Sequence, residues 1–192
     1  MRLLACISAL LLAAVPVFTA DAAEQISVGN AKVIVRTVTG AYEGDMRQLQ
    51  LLDDVYHNEL IETEAESATQ LVFLDETTIT LGPESRIVLD KFVYDPDPSK
   101  ASFVMTATEG VFRFASGKLP KSVYRINTPA ATIGIRGTLL EIAVLPTSTP
   151  QGERAVAVEV RLESGEAFLT TNAGEVVHLD SGRPATRLVV EP

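Results

Sequence analysis

The sequence predicts an all-β protein, and three observations carry that prediction. Alternating apolar and polar residues recur in short runs along the chain, the signature of strands with one buried face. Val, Ile, Thr, Phe and Tyr dominate these runs, as suits a pleated, half-buried surface. Turn signals separate them, among them Asp75-Glu76, Gly82-Pro83, Glu109-Gly110, Ser164-Gly165 and Asn172-Ala173-Gly174.

The first segment reads as an address. Met1 and Arg2 form a short basic start, and an apolar run follows over residues 3–17. That run is broken by Pro16 and falls short of the ~20 apolar residues that span a bilayer. Ala20 and Ala22 satisfy the small-x-small rule, so cleavage after Ala22 is expected. Residues 1–22 are then a removed signal peptide and residues 23–192 a single all-β domain. Leu3-Leu4-Ala5-Cys6 is superficially like a lipoprotein box, but too little apolar sequence precedes it for lipidation of Cys6 to be expected. Cys6 is the chain's single cysteine, so the processed chain would form no disulfide and offer no thiolate for catalysis or metal binding. No later run approaches spanning length, and the processed product is expected to be soluble.

The clearest strand runs are 31–38 (AKVIVRTV), 68–74 (ATQLVFL), 77–81 (TTITL) and 86–94 (RIVLDKFVY). They continue with 102–108 (SFVMTAT), 111–115 (VFRFA), 123–127 (VYRIN), 132–135 and 139–144. The last are 155–162, 167–171 and 175–179. Only 42–61 is ambiguous: Leu49, Leu52 and Tyr56 would make a short amphipathic turn of helix, whereas Asp53-Asp54 suits a loop. No helical pattern lasts three turns elsewhere.

Short strands with tight turns and no crossover helices point to a β-solenoid-like stack (a β-helix), with a β-sandwich as the alternative. Asp95-Pro96-Asp97-Pro98 is a candidate edge-blocking loop, since Pro cannot donate to a ladder. Residues 147–152 (TSTPQG) read as a surface loop, or a slight boundary before a C-terminal strand set.

Composition excludes more functions than it selects. Twenty-five acidic residues against 16 basic ones give a net charge of -9, against a nucleic-acid or anionic-membrane role. His57 and His178 are the only imidazoles, too few for a His-rich metal site, and both are read as structural or solvated. There is no nucleophile elbow, no P-loop and no dinucleotide turn. The acidic clusters Asp53/Asp54, Glu62/Glu64/Glu66 and Asp95/Asp97 sit at spacings that do not by themselves build an acid/base pair, and the last makes a poor calcium loop. With no Trp and 6% aromatics, sugar-binding platforms are scarce. No enzymatic activity, cofactor or metal is expected.

Two blocks in the middle of the chain carry a resemblance. The first runs from Ile61-Glu62-Thr63 through Ser67-Ala68-Thr69-Gln70-Leu71-Val72-Phe73-Leu74-Asp75-Glu76-Thr77-Thr78-Ile79-Thr80-Leu81. The second is Asn127-Thr128-Pro129-Ala130-Ala131-Thr132-Ile133-Gly134-Ile135-Arg136-Gly137-Thr138. Together they resemble the FecR domain family of exported bacterial proteins, with its hairpin and "TP.A.IGVRGT" signatures. Residues 92–96, 110–114 and the run beyond Val156 fit as well, so the similarity spans roughly 28–182. One departure is Glu76, where the family turn carries Gly after Asp75; Gly reaches positive φ freely and Glu does not.

The resemblance implies a domain outside the inner membrane that receives a signal from an envelope partner. In the family's well-known arrangement one transmembrane helix joins it to a cytoplasmic regulator; no such segment is read here, so that direct regulatory role is not expected. What the resemblance leaves is a periplasmic or secreted, non-catalytic binding, scaffolding or signalling module of a Gram-negative envelope. Its partner would be an unidentified envelope protein or polymer, and its oligomeric state is open. The alternative is a carbohydrate-active or carbohydrate-binding protein with an acidic cleft.

The residues singled out are Asp75, Thr128, Pro129, Gly134, Arg136, Gly137 and Thr138. Pro129 fixes φ and biases Thr128 to an extended conformation. Gly134 and Gly137 permit a bulge or close backbone approach. Arg136 offers a five-donor fork for a carboxylate or for carbonyls, so with Thr138 it presents either a binding surface or a staple between turns.

Overall fold

The computed structural model describes residues 25–95, 97 and 99–190. The expected signal peptide 1–22, with Cys6, lies outside these residues, as do Pro96 and Pro98 of the candidate edge-blocking loop.

Strands follow one another along the described chain: β1 (Ser27–Val35), β2 (Val38–Tyr42), β3 (Asp45–Gln48), β4 (Asp54–Tyr56), β5 (Leu60–Thr63), β6 (Ala68–Phe73), β7 (Thr78–Leu81) and β8 (Arg86–Val93). Then come β9 (Ser102–Ala115), a single 3-10 turn (Lys121–Val123), β10 (Tyr124–Asn127), β11 (Ala131–Ser148), β12 (Arg154–Thr171), β13 (Val176–Leu179) and β14 (Ala185–Val190). The all-β expectation holds. The helical option within 42–61 does not: β3 and β4 occupy it, and a two-residue turn with Glu43 at φ 50° and Gly44 at φ 92° closes the β2–β3 hairpin.

Six of the expected runs fuse into three long strands, because the turn signals between them are bends. In β9 the buried residues are Phe103, Met105 and Ala107, then Gly110, Phe112 and Phe114, so the alternation slips by one residue at the bend. β11 slips between Ile135 and Thr138, and β12 between Leu162 and Ala167. Each slip carries a glycine in the left-handed region: Gly110 (φ 105°), Gly137 (φ 67°) and Gly165 (φ 86°). An inserted residue of this kind bends a strand while keeping its apolar side facing inward.

The bends fold one continuous 14-stranded sheet over on itself. One layer runs β3-β2-β5-β8, the first half of β9, β10, the first half of β11, the second half of β12, and β13. The other runs β4-β1-β6-β7, the second half of β9, the second half of β11, the first half of β12, and β14. Aromatic rings pack between the layers. Phe103 lies 5.0 Å from Phe73 and 5.8 Å from Phe114, and Tyr124 lies 5.7 Å from Phe114, mostly edge to face.

This is not the β-solenoid that was the first expectation. A solenoid stacks successive coils in parallel, whereas β9–β10 is the one parallel pair among the described strands. The connections supply the physical reason: two- and three-residue loops join only antiparallel neighbours. The folded sheet is nearer the sandwich alternative, with open edges at β3, β4, β13 and β14. Within 147–152, Thr147 and Ser148 continue β11, paired with Ala155 and Arg154 of β12, and the residues that follow form the loop of the β11–β12 hairpin. Asp97 lies between β8 and β9. It accepts hydrogen bonds from Ser99 N–H (3.0 Å) and hydroxyl (2.8 Å), which hold its carboxyl below the usual range.

One buried charge fastens the sheet's N-terminal corner. Glu59 is fully buried and accepts bonds from Arg47 Nη2 (2.9 Å) and Nε (3.1 Å), and from Tyr56 N–H (2.8 Å). Gly40 leaves room for it, since a Cβ there would overlap the Glu59 carboxylate. Pairing with hydrogen bonds on both oxygens is what makes burial of a carboxylate tolerable.

Candidate functional site

Strand alternation sends Ile133, Ile135, Ala167 and Leu169 into the core and turns Gly134, Arg136 and Phe168 to the outer face of the first layer. Register then aligns residues from four strands across that face. Arg125 of β10 stands opposite Gly134 of β11, Gly134 opposite Phe168 of β12, and Phe168 opposite His178 of β13.

Gly134 makes a gap in this row. Its φ is not in the left-handed region, and a Cβ would meet nothing closer than Phe168 O at 3.8 Å and Arg125 Nη1 at 3.9 Å. Neither backbone nor packing demands glycine here, so its effect is to leave the face open. The resulting depression has a volume of about 290 Å³, with hydroxyls of Ser122, Thr132 and Thr170 at its rim.

Around the gap the side chains are ordered by stacking. The Arg136 guanidinium lies 5.1 Å from the Phe168 ring centroid on the β11 side. On the β13 side the His178 ring stacks on Phe168 at 4.4 Å and 9°. Arg125 donates through Nη1 to the carbonyls of Ser122 (3.0 Å) and Tyr124 (3.2 Å), which fixes one end of its fork. His178 stands 3.6 Å from Asp180 and 3.8 Å from Glu166. The Asp180 carboxyl is held below its ordinary range by the N–H groups of Arg183 and Gly182, and to a lesser degree by His178.

Arg36, Arg47, Arg86, Arg113 and Arg187 each reach a carboxylate. Among the described residues Arg125 and Arg136, like Arg154, Arg161 and Arg183, have none within 4.0 Å. In an acidic chain, two unneutralised guanidinium groups beside a gap are suited to hold an anion.

The expected site residues divide between this face and the scaffold. Gly134 and Arg136 line the depression. Gly137 is the β11 bend, and Thr138 is a staple behind it: its hydroxyl donates to Glu166 O (2.9 Å) and its N–H to Ser116 Oγ (3.2 Å). Thr128 caps the β10–β11 turn, accepting from Ala131 N–H (3.1 Å) and donating to Ala131 O (2.8 Å). Pro129 presents its carbonyl to Asn172 Nδ2 at 2.9 Å. Thus Arg136 makes no hydrogen bond to a neighbouring turn, while Thr138 does the stapling.

Asp75 is fully buried on the opposite side of the first layer from the depression. Its carboxylate accepts from Thr77 N–H (3.0 Å), Thr77 hydroxyl (2.7 Å) and Tyr124 hydroxyl (2.6 Å). Gly117 N–H donates to Thr77 Oγ1 (3.0 Å), and Lys118 N–H to Asp75 O (2.7 Å). Burial, then the Asp75 carboxylate, pushes the Tyr124 hydroxyl well above the usual phenol range. This network joins β6–β7 to β10 and is closed to solvent, so it is structural.

Sequence reasoning missed Arg125 and Phe168 and read His178 as structural or solvated. A signal for Phe168 exists: it occupies the outward position of the run 167–171, where an exposed strand face ordinarily carries polar residues. A second depression, about 310 Å³, is bordered by Glu62, Glu64, Glu84 and Glu109. Its carboxylates face solvent, and Glu62 is tied to Arg86 at 2.5 Å. Among the described residues no group of three or more His, Cys, Asp or Glu is placed to hold a metal, and no helix is long and apolar enough to cross a membrane.

Comparison with known proteins gives one family. The model of the family described as FecR protein matches residues 59–151. This is narrower than the span of the sequence resemblance. No curated protein matches the chain. Two crystal structures of a candidate anti-sigma factor from Parabacteroides distasonis are similar at 15% and 14% identity, with TM-scores of 0.48 and 0.47. Each comparison covers 69% of this chain and 54% of the other, so this chain spans about half the length of those proteins.

Proposed function

We propose, from the match of residues 59–151 to the family described as FecR protein, that the chain is a non-catalytic binding and signalling module of the bacterial cell envelope. It contacts its partner through the outer face of β10–β13. The observation that carries this reading is the gap at Gly134, a glycine that neither φ nor packing requires, set beside two guanidinium groups without carboxylate partners. A face kept open beside two guanidinium groups serves recognition better than folding.

Export is part of the same reading and rests on residues 1–22. Expression of the full chain in a Gram-negative host, fractionation, and intact-mass measurement test it: a periplasmic or secreted product beginning at Ala23 supports it, and an unprocessed cytoplasmic chain defeats it. Cross-linking of wild-type and Gly134→Trp protein in envelope preparations tests the face. The reading expects one partner captured by the wild type and lost with the filled variant; equal capture by both removes it.

The alternative is a carbohydrate-active or carbohydrate-binding protein using the acidic depression at Glu62, Glu64, Glu84 and Glu109. General acid catalysis needs a carboxyl made hard to ionise by burial or crowding, and these four are exposed or half-exposed. Release of reducing ends from envelope polysaccharide, lost in Glu84→Gln, would establish this alternative over the first.

A further inference from the structure

We propose that the Gly134 depression is an oxyanion site, holding a carboxylate or phosphate group between Arg125 and Arg136. The inference rests on the binding-module reading and assigns its ligand chemistry. Four neighbours enclose the gap. Arg125 and Phe168 are its register partners on the two flanking strands, and Thr132 and Arg136 stand two residues away along β11 on the same face. The two arginines are therefore diagonal neighbours, with backbones about 7–8 Å apart. That spacing lets two guanidinium forks converge on one group.

Their anchoring orients them. Arg125 is held by two carbonyls through Nη1, its atom nearest the gap, while its Nε and Nη2 N–H groups have no hydrogen-bond partner among the described residues. Arg136 lies on Phe168, which His178 backs on its other side. A guanidinium resting on a ring keeps its in-plane N–H edge free, and that edge forms paired bonds to carboxylate or phosphate. The acid opposite Arg136 in register, Glu166, is 3.8 Å from His178 and does not pair with the arginine. Thr170 stands at the rim, and the Thr132 hydroxyl there donates to Asn127 Oδ1 at 3.1 Å. Like charges held together without a counter-ion repel, and a bound oxyanion relieves that repulsion.

Titration of the full-length, processed protein with sodium glucuronate, succinate and inorganic phosphate, followed by chemical shifts and calorimetry, tests the proposal. Saturable binding of at least one is expected, with the carboxylates and phosphate as separate arms that identify the source of the oxyanion. Arg136→Gln and Arg125→Gln should each weaken it about tenfold or more, as loss of a charge-assisted pair implies. Gly134→Val should abolish it with an unchanged circular dichroism spectrum, and Arg154→Gln, on the distant β11–β12 hairpin, should leave it intact. Absence of saturable binding, or binding unaltered in Arg136→Gln and Gly134→Val, overturns the oxyanion site. If binding is absent but Gly134→Trp still loses the cross-linked partner, the oxyanion chemistry falls and the binding-module reading stands.

Discussion

Glu76 occupies, at φ 68°, the loop position that Gly152 (φ 86°) and Gly174 (φ 84°) occupy in two other hairpins of the chain. The three loops share one pattern of backbone bonds: Phe73 N–H to Thr77 O, Thr149 N–H to Glu153 O and Thr171 N–H to Glu175 O, each enclosing a second bond from the last loop residue back to the first residue's carbonyl. The last loop residue must be left-handed in this form, which glycine accepts and a Cβ resists. Glu76 partly offsets the strain through an ion pair with Lys118, but that pair is exposed and contributes little. Glu76→Gly is therefore expected to stabilise the protein by about 0.5–1 kcal/mol, the strain relieved exceeding the added unfolded-state entropy. Urea unfolding followed by circular dichroism measures it, and a lower midpoint for the variant refutes it. Tyr124 offers a pH test. Its folded pKa is raised, so the stability from its protonated hydroxyl is full below the unfolded value of about 10 and is lost as pH climbs above that. Tyr124→Phe should cost about 1–2 kcal/mol near neutrality, from the lost bond to Asp75, and should flatten the alkaline decline. An equally steep decline in the variant would place its source elsewhere. Residue chemistry of this kind was partly legible: the departure at Glu76 was visible in the sequence, whereas the burial of Asp75 under Tyr124, 49 positions away, was not.

The strands β9, β11 and β12 owe their shape to a shift of phase. Each keeps apolar residues inward on both sides of a glycine, with one extra residue at the bend. In sequence that slip looks like the end of one strand and the start of another, because alternation says which residues share a face but not that the face has turned. The bends at Gly137 and Gly165 lie side by side, where β11 and β12 change layer together. A Cβ on Gly165 would overlap the Gly137 carbonyl, while a Cβ on Gly137 meets nothing nearer than the Lys121 side chain at 3.8 Å. Both glycines have positive φ, so the difference between them isolates the steric part. Gly137→Ala should cost about 1 kcal/mol, and Gly165→Ala at least about 3 kcal/mol or failure to fold. Thermal melts of the two variants compare them; equal losses would show that the close approach is relieved by movement of β11. The binding face depends on the same elements. β11 supplies both Gly134 and Arg136, and its bend just beyond Arg136 fixes where the depression stops.

At the scale of the molecule, three strands belong to both layers, so neither layer has an independent hydrogen-bonded boundary. Unfolding of the described domain should be a single transition, with tyrosine fluorescence and circular dichroism coinciding in urea. Two separated midpoints would mean that the bends act as joints between independent units. What the sequence by itself determined is local. Alternation defined an all-β chain, turn chemistry placed the β6–β7 and β12–β13 hairpins, and the block ending at Thr138 pointed to the FecR family. What only the tertiary structure decided is which strands meet. Pairing across 30 to 50 positions is a matter of register and bend geometry, and no local signal encodes it, because every strand with one apolar face can satisfy its backbone against several others. That is why a stack of coils was expected and a folded-over sheet was found. It is also why Arg136 was read with Thr138, its neighbour in sequence, although across the sheet it stands beside Phe168 and Glu166 and shares the depression with Arg125. The depression exists because Gly134 is open and because β10, β12 and the 3-10 turn bring their side chains to its edge.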